Sequence, residues 1–336
     1  MGHSLAYLEK LPPERIVGEQ PRRFTARDIE ASLLVFRDLL DHWHCTDCLA
    51  REIAAQFELV ASSVEQEQGE VLFTGYYQPV IDASLTPSEE YRYPIYGVPG
   101  DLVAQEQDGE KKLGRIENEV LVPYYSRRDI DQLGVLRGRG LEIAWVKDPI
   151  DLFFLHIQGS GQLRLDDGRQ VTVNYAAQSG LAYRSIGRLL IDSGKVLRDE
   201  MSMQRLRRYL TEYPAEQNEI FAYNESYVFF RLSDDGPIGS LGVPVTAGRS
   251  IATDSRLFPR GALALVQTEI PIIGSLGELA GWRPVTRFVV NQDTGGAIRG
   301  SQRADYYFGT GEEAGALAGY MNRQGWLYFL VLKNNR

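Results

Sequence analysis

From Glu70 onward the chain is written in short runs of β-forming residues broken at close intervals by Gly, Pro and Asp. Such punctuation specifies strands and turns. Val71 to Pro79 reads as a strand that ends at its proline. Residues 80 to 182 read as an all-β region, a small barrel or sandwich, in which Leu152–Ile157 and Gln170–Tyr175 are strands joined by a turn at Asp166-Asp167-Gly168. Strand patterns return after Pro237, at Ala262–Thr268, Arg287–Asn291 and Trp326–Leu332, interrupted by one helix over Glu312–Met321.

Besides Glu312–Met321, helical spacing occurs in two places. Near the N-terminus, Thr25-Ala26-Arg27-Asp28 is a capping-box variant. Ile29, Leu33, Phe36, Leu39, Leu40 and Trp43 follow it on one helical face, and a second helix is expected over Leu49–Val60. In the middle, Ser185–Ser193 with Gly194 as its stop and a helix from Ser202 through Glu212 precede Pro214. The Leu232–Leu241 stretch, where Asp, Gly and Pro concentrate, is the one plausible linker.

The net charge of −9 argues against a general nucleic-acid binder, which needs a basic face to neutralise phosphates. Arg205, Arg207 and Arg208 sit at helical spacing and read as a solvated face. No apolar run approaches the roughly 20 residues of a membrane-spanning helix, and Met1–Arg23 carries charges throughout, without a signal-peptide core. Cys45 and Cys48 lie in His42-Trp43-His44-Cys45-Thr46-Asp47-Cys48. A structural zinc site needs four ligands, there is no second Cys pair, and His42 and His44 could complete the set only if this short piece folded tightly around the ion. The plainer reading is the C-terminal end of a helix with a local disulfide.

Four segments combine glycine, which lets a backbone approach a ligand, with polar groups. They are Phe73-Thr74-Gly75-Tyr76-Tyr77, Gln158-Gly159-Ser160-Gly161, Asp293-Thr294-Gly295-Gly296 and Arg303-Ala304-Asp305-Tyr306-Tyr307. Singly, each has a bland reading: a strand with a bulge at Gly75, a hairpin bend at Gly159, a glycine turn held by Asp293, a strand-end aspartate at 305. Asp293-Thr294-Gly295 does not make an aspartic protease, which needs two such carboxylates, because Asp254-Ser255 is followed by Arg256.

Taken in order, the segments resemble the MltA family of lytic murein transglycosylases. The resemblance runs through Phe73–Tyr77, Phe153-Phe154, Ile157–Gly161, Tyr183–Gly187, Met201–Gln204, Val228–Phe230, Gly248–Asp254, Gln292–Ile298 and the Asp305 segment. It covers about 260 residues, from Gly69 to the C-terminus, and leaves Cys45 and Cys48 outside.

The resemblance implies a mainly β fold: a double-psi β-barrel domain of residues 1–78 plus 237–336, and a smaller inserted β-domain of residues 79–236, with the substrate groove between them. It implies cleavage of the β-1,4 bond between N-acetylmuramic acid and N-acetylglucosamine, leaving a 1,6-anhydro sugar, with no metal and no cofactor. Asp305 is then the single acid/base, carrying its proton when substrate arrives. One carboxyl can serve because the nucleophile, the muramyl C6 hydroxyl, is intramolecular, whereas ordinary glycosidases need two. Asp293 and Asp254 would assist.

Thr74, Gly75, Tyr76, Tyr77, Gln158, Gly159, Ser160, Gly161, Tyr183 and Ser185 would line the glycan site, and Arg184 would be salt-bridged structure. The implied partner is a peptidoglycan glycan strand, met in the periplasm or cell envelope by a monomer, with a lipid anchor to the outer membrane outside this sequence. Two other readings stay open: a non-catalytic polysaccharide-binding module, and an ordinary hydrolase that uses Asp305 with Asp293.

Overall fold

The structure, a computed structural model, describes residues 1–62, 70–107 and 110–333, with backbone alone at 42, 107, 110 and 111. The chain forms two compact units, Met1–Tyr77 with Ile238–Arg336, and Gln78–Pro237.

The first unit is a closed barrel of six strands: β1 (Val71–Gln78), β2 (Ser250–Ala252), β3 (Leu263–Ile273), β4 (Leu279–Asp293), β5 (Arg303–Thr310) and β6 (Asn322–Leu332). Its order is β3-β4-β2-β5-β1-β6, closed by antiparallel pairing of β6 with β3 (Ala264 opposite Phe329). Closure removes the exposed edges that an open sheet would present. The inward residues alternate along each strand, as in Val71 and Phe73 of β1, Ala304 and Tyr306 of β5, and Leu327 and Phe329 of β6, and all are buried. The Ala26–Leu39 helix packs Ile29, Leu33 and Phe36 into the same core, each such burial stabilising by about 1.5–3 kcal/mol. Its start is fixed by the expected capping box, in which the Asp28 amide donates to the Thr25 hydroxyl and the Thr25 amide donates to Asp28.

Three N-terminal expectations are corrected. Trp43 leaves the helical face and is 72% exposed, because the chain tightens to a 3₁₀ turn at Leu40–His42. The second helix covers Thr46–Gln56 and stops there; Phe57–Ala61 is a strand on β6, where its Phe57 joins the core. Cys45 caps the N-terminus of that second helix instead of closing the C-terminal end of the first, and it is disulfide-bonded to Cys48. The His42 side chain lies outside the described residues, and among those described no cluster of three or more His, Cys, Asp or Glu side chains is placed to hold a metal.

The second unit holds a six-stranded sheet in the order Val228–Ser233, Gln170–Gln178, Ser160–Leu165, Val80–Ser84, Glu142–Val146, Tyr93–Tyr96. The stretch read as all-β, residues 80–182, also holds helices Arg127–Asp131 and Pro149–Gln158, and the expected helices Ile186–Asp192 and Met203–Glu212 follow it with a further one at Gln217–Tyr223. The run read as a strand at Leu152–Ile157 lies within the Pro149–Gln158 helix. Asp148 caps that helix, Pro149 takes its first turn, and Gly159 ends it with φ +78°. Leu152, Phe153, Phe154, Leu155 and His156 are all buried, so the helix shows no polar face and its apolar run carries no period. The hairpin partner of Gln170–Gln178 is Ser160–Leu165, which the Asp166–Gly168 turn joins to it. Ser202 caps its helix as expected, and Ser185 caps the Ile186–Asp192 helix. Arg207 is paired with Asp151 at 2.5 Å, and Arg205 lies 3.9 Å from Glu200.

Candidate active site

The barrel wall carries a row of polar groups on the side turned away from its core. Register sets the row. Ala252 of β2 pairs with Asp293 of β4 on one side and with Asp305 of β5 on the other. Directly opposed residues share a face, so the two carboxylates flank a residue with almost no side chain. Their backbones are two strand spacings apart, roughly 9–10 Å. β1 lies on the far side of β5 and extends the row with Thr74, whose hydroxyl donates to Asp305 Oδ1.

Strand alternation sorts the neighbours. Ala304 and Tyr306 point into the core, so Arg303, Asp305 and Tyr307 point out. Phe73 points in, so Thr74 and Tyr76 point out. The Arg303 guanidinium donates to Asp305 Oδ1 at 3.0 Å and to Oδ2 at 3.4 Å, and reaches the Thr74 hydroxyl at 3.1 Å. Asp305 is 16% exposed. Its Oδ1 is held twice at short range, and among the described residues Oδ2 has only the long contact.

Asp293 is held differently. The amides of Ser240 and Thr294 each donate to its Oδ1 at 2.8 Å. Burial pushes its carboxyl up to about 6 against those donors. Among the described residues the Tyr76 hydroxyl, buried beside it, has no hydrogen bond of normal geometry, and its ring leans on Tyr307 at 5.0 Å. Burial, then the Asp293 charge, drives the Tyr76 hydroxyl well above its ordinary range, and Asp305 is near enough to add to the effect.

Asp254 has no exposed surface. Arg256 donates to both of its oxygens at 3.0 and 2.7 Å, and the amides of Arg256 and Gly300 add bonds at 3.1 and 2.9 Å. Burial opposes the charge, but Arg256 and the two amides outweigh it and hold the carboxyl at about 2. With four donors, Asp254 ties the Gly300 turn to its own loop.

The structure therefore brings Thr74, Tyr76, Asp293 and Asp305 together on the barrel. Gly75 and Tyr77 have a different role there, because the Glu312–Tyr320 helix rests on them. A Cβ at Gly75 would lie 2.6 Å from the Ala318 Cα, and one at Gly315 would lie 2.8 Å from the Tyr77 ring. Gln158, Gly159, Ser160, Gly161, Tyr183 and Ser185 all belong to the other compact unit. There Gln158 ends a helix and Gly159 is its left-handed stop. Ser160 begins a strand opposite Asn174, and a Cβ at Gly161 would meet Leu155 at 2.6 Å. Tyr183 is 36% exposed, and the Ser185 hydroxyl accepts from the Arg188 amide at 3.2 Å. Arg184 faces Glu225 at 3.3 Å. Sequence reading missed Arg303 and Ser240. Arg303 had a signal, since it stands two residues before Asp305 and so on the same face of any strand. Ser240 contributes only its backbone amide, which no side-chain pattern reveals.

A rigid barrel wall carrying two carboxylates in unlike surroundings is the equipment of an acid–base enzyme. Comparison with known proteins gives the family. The profile of the MltA specific insert domain matches residues 72–231, and that of the 3D domain matches residues 249–331. Membrane-bound lytic murein transglycosylase A of Escherichia coli K12 is 36% identical over 280 residues, covering 82% of this chain and 70% of that protein. Its Vibrio cholerae counterpart is 34% identical over 286 residues, covering 84% and 71%. The crystal structure of a membrane-bound lytic murein transglycosylase from Agrobacterium tumefaciens superposes with a TM-score of 0.81 at 32% identity, over 98% of this chain and 90% of that one. Escherichia coli MltA with bound chitohexaose gives 0.73 at 28% identity, over 98% and 88%. The chain belongs to the MltA family of lytic murein transglycosylases.

Proposed function

We propose that this protein cleaves the β-1,4 bond between N-acetylmuramic acid and N-acetylglucosamine in peptidoglycan, with Asp305 as its single general acid/base. The observation that carries the reading is the hold on Asp305. Thr74 and Arg303 fix Oδ1, and Oδ2 is left to exchange a proton. In the first half of the reaction, protonated Oδ2 gives its proton to the glycosidic oxygen, and the bond from that oxygen to the muramyl C1 breaks. In the second, the muramyl C6 oxygen bonds to C1 while its proton passes to Asp305. A 1,6-anhydro end forms, no water is consumed, and the carboxyl returns to its starting state. The carboxylate between the two halves is the form that Thr74 and Arg303 stabilise.

Asp293 supports the positive charge that develops at C1, since carboxylates near an oxocarbenium centre lower its energy. Asp254 anchors the Gly300 turn. Gln158, Ser160, Tyr183 and Ser185, with their flanking glycines, bind the glycan through backbone and side-chain polar groups of the inserted unit. The working place is the cell envelope, where peptidoglycan lies. Among the described residues no helix is long and apolar enough to cross a membrane. The Cys45–Cys48 disulfide suits an oxidising compartment. Anchoring by a lipid and action as a monomer belong to the same reading.

A second reading has one observation in its favour. The Asp293–Ala252–Asp305 register puts two carboxylates on one face of the barrel with a strand between them, and an inverting hydrolase needs two carboxyl groups set apart. Asp305→Asn tests the assignment of the acid. It should abolish cleavage of murein sacculi while glycan binding and the thermal transition stay as in the parent. Near-normal cleavage by this variant would remove Asp305 from the central role.

A further inference from the structure

The inserted unit contains a buried charged group that the reaction does not use. Arg127 is 2% exposed. Three consecutive carbonyls are fixed by this one residue: its amide donates to Glu225 O at 3.1 Å, Nε to Asn224 O at 3.1 Å and Nη2 to Ser226 O at 2.8 Å. Its remaining arm, Nη1, donates to His156 Nδ1 at 2.9 Å and lies 3.5 Å from Asp131. The rings of Phe153 and Tyr227 close over the guanidinium at 4.8 and 5.0 Å.

Because Arg127 can only donate, His156 Nδ1 must accept, which places the imidazole proton on Nε2 and keeps the ring neutral. Burial and the adjacent guanidinium agree, holding His156 well below its ordinary range. A buried cation with this many directed bonds is costly to place, and its only ion-pair partner, among the described residues, is Asp131 at 3.5 Å. The return is two fixed segments. His156 lies in the last turn of the helix that ends at Gln158 and Gly159. Asn224 uses its side-chain oxygen to accept the Arg184 amide at 3.1 Å, between Tyr183 and Ser185.

We infer that Arg127 is a positioning residue that sets both glycan-binding segments of the inserted unit, Gln158–Gly161 through His156 and Tyr183–Ser185 through Asn224. This rests on the reading that those segments contact glycan. Arg127 touches no sugar itself. Its effect is on binding, because the proton-transfer groups Asp305 and Thr74 stand on the barrel and not in this unit.

The test uses the full chain, soluble glycan strands as substrate and backbone amide exchange as the second readout. Arg127→Lys keeps a cation but not the fork. It should raise KM about tenfold, the equivalent of one lost hydrogen bond, with kcat within about twofold. Amide exchange at residues 158–161 and 183–185 should rise by roughly tenfold or more while β3 and β6 keep their protection. His156→Phe has no acceptor for Arg127 Nη1 and so removes only one branch, and exchange should rise at 158–161 and not at 183–185. Gln158→Ala separates the two layers: if it leaves KM unchanged, the segment does not bind glycan and the inference falls with that reading. If Gln158→Ala raises KM while Arg127→Lys changes neither KM nor exchange, the glycan reading stands and the positioning role is refuted. Faster exchange in Arg127→Lys without a change in KM refutes it as well.

Discussion

Asp254→Asn separates an anchor from a catalytic aspartate. The carboxyl is held at about 2 in the fold, against roughly 3.9 for an unperturbed aspartate. Fully converted, that difference is worth about 2.6 kcal/mol. Arg256, its main counter-charge, is 66% exposed, so solvent screens that arm and roughly 1–2 kcal/mol is the realistic contribution. The folded pKa is the lower one, so the stabilisation is present above about 4 and is lost as pH falls towards 2. Urea unfolding of the barrel, followed through Trp282 and Trp326, should show Asp254→Asn less stable than the parent by that amount at pH 7. The difference should shrink as pH falls from about 4 and vanish only below about 2, where the Asp254 carboxyl too becomes neutral. Without denaturant at pH 7, cleavage by the folded variant should stay within a few-fold of the parent. A variant of unchanged stability with activity reduced by orders of magnitude would refute the anchor and make Asp254 part of the chemistry.

Thr74→Val removes the hydroxyl that donates to Asp305 Oδ1. A bond to a charged group is worth roughly 1.5–3 kcal/mol, so kcat should fall about 10–150-fold with little change in KM, and steady-state kinetics on soluble glycan strands check it. Gly75→Ala pushes a Cβ to 2.6 Å from the Ala318 Cα and 2.9 Å from the Phe308 ring. The overpacking should cost about 1–3 kcal/mol, seen as a lowered melting temperature. Asp293 is raised to about 6 in the fold, so its contribution to stability is complete below about 4 and is lost as pH rises through 6. Denaturation midpoints should fall between pH 4 and 7 in the parent, and that slope should flatten in Asp293→Asn.

The strands with a clear period or a turn signal were legible in the sequence, as were the capped helices. Thr25 and Ser202 announced their helices through hydroxyls that accept the third amide onward. The buried Pro149–Gln158 helix was misread because every side of its central turn is covered, which erases the 3.6-residue period. Phe57–Ala61 was absorbed into a helix because only its pairing with β6 makes it a strand.

The candidate site divides in the same way. Asp305 and Asp293 were named from ordered segments. That they flank Ala252 depends on a parallel pair and an antiparallel pair formed by residues far apart in the chain. The unlike surroundings of the three aspartates were invisible, because they come from backbone amides of Ser240, Thr294 and Gly300 and from guanidinium groups two residues away. Gly75 shows the limit of reading glycine as a ligand signal, since the group that approaches it is a helix of its own barrel.

The central claim, that the sugar attacks itself with Asp305 moving the proton, is tested most directly by the ends left on cut glycan. Purified murein sacculi digested with the protein in water enriched in oxygen-18 and analysed by mass spectrometry should yield 1,6-anhydromuramyl ends without the heavy isotope. Reducing ends carrying one labelled oxygen would contradict the account and assign Asp305 and Asp293 to a hydrolase.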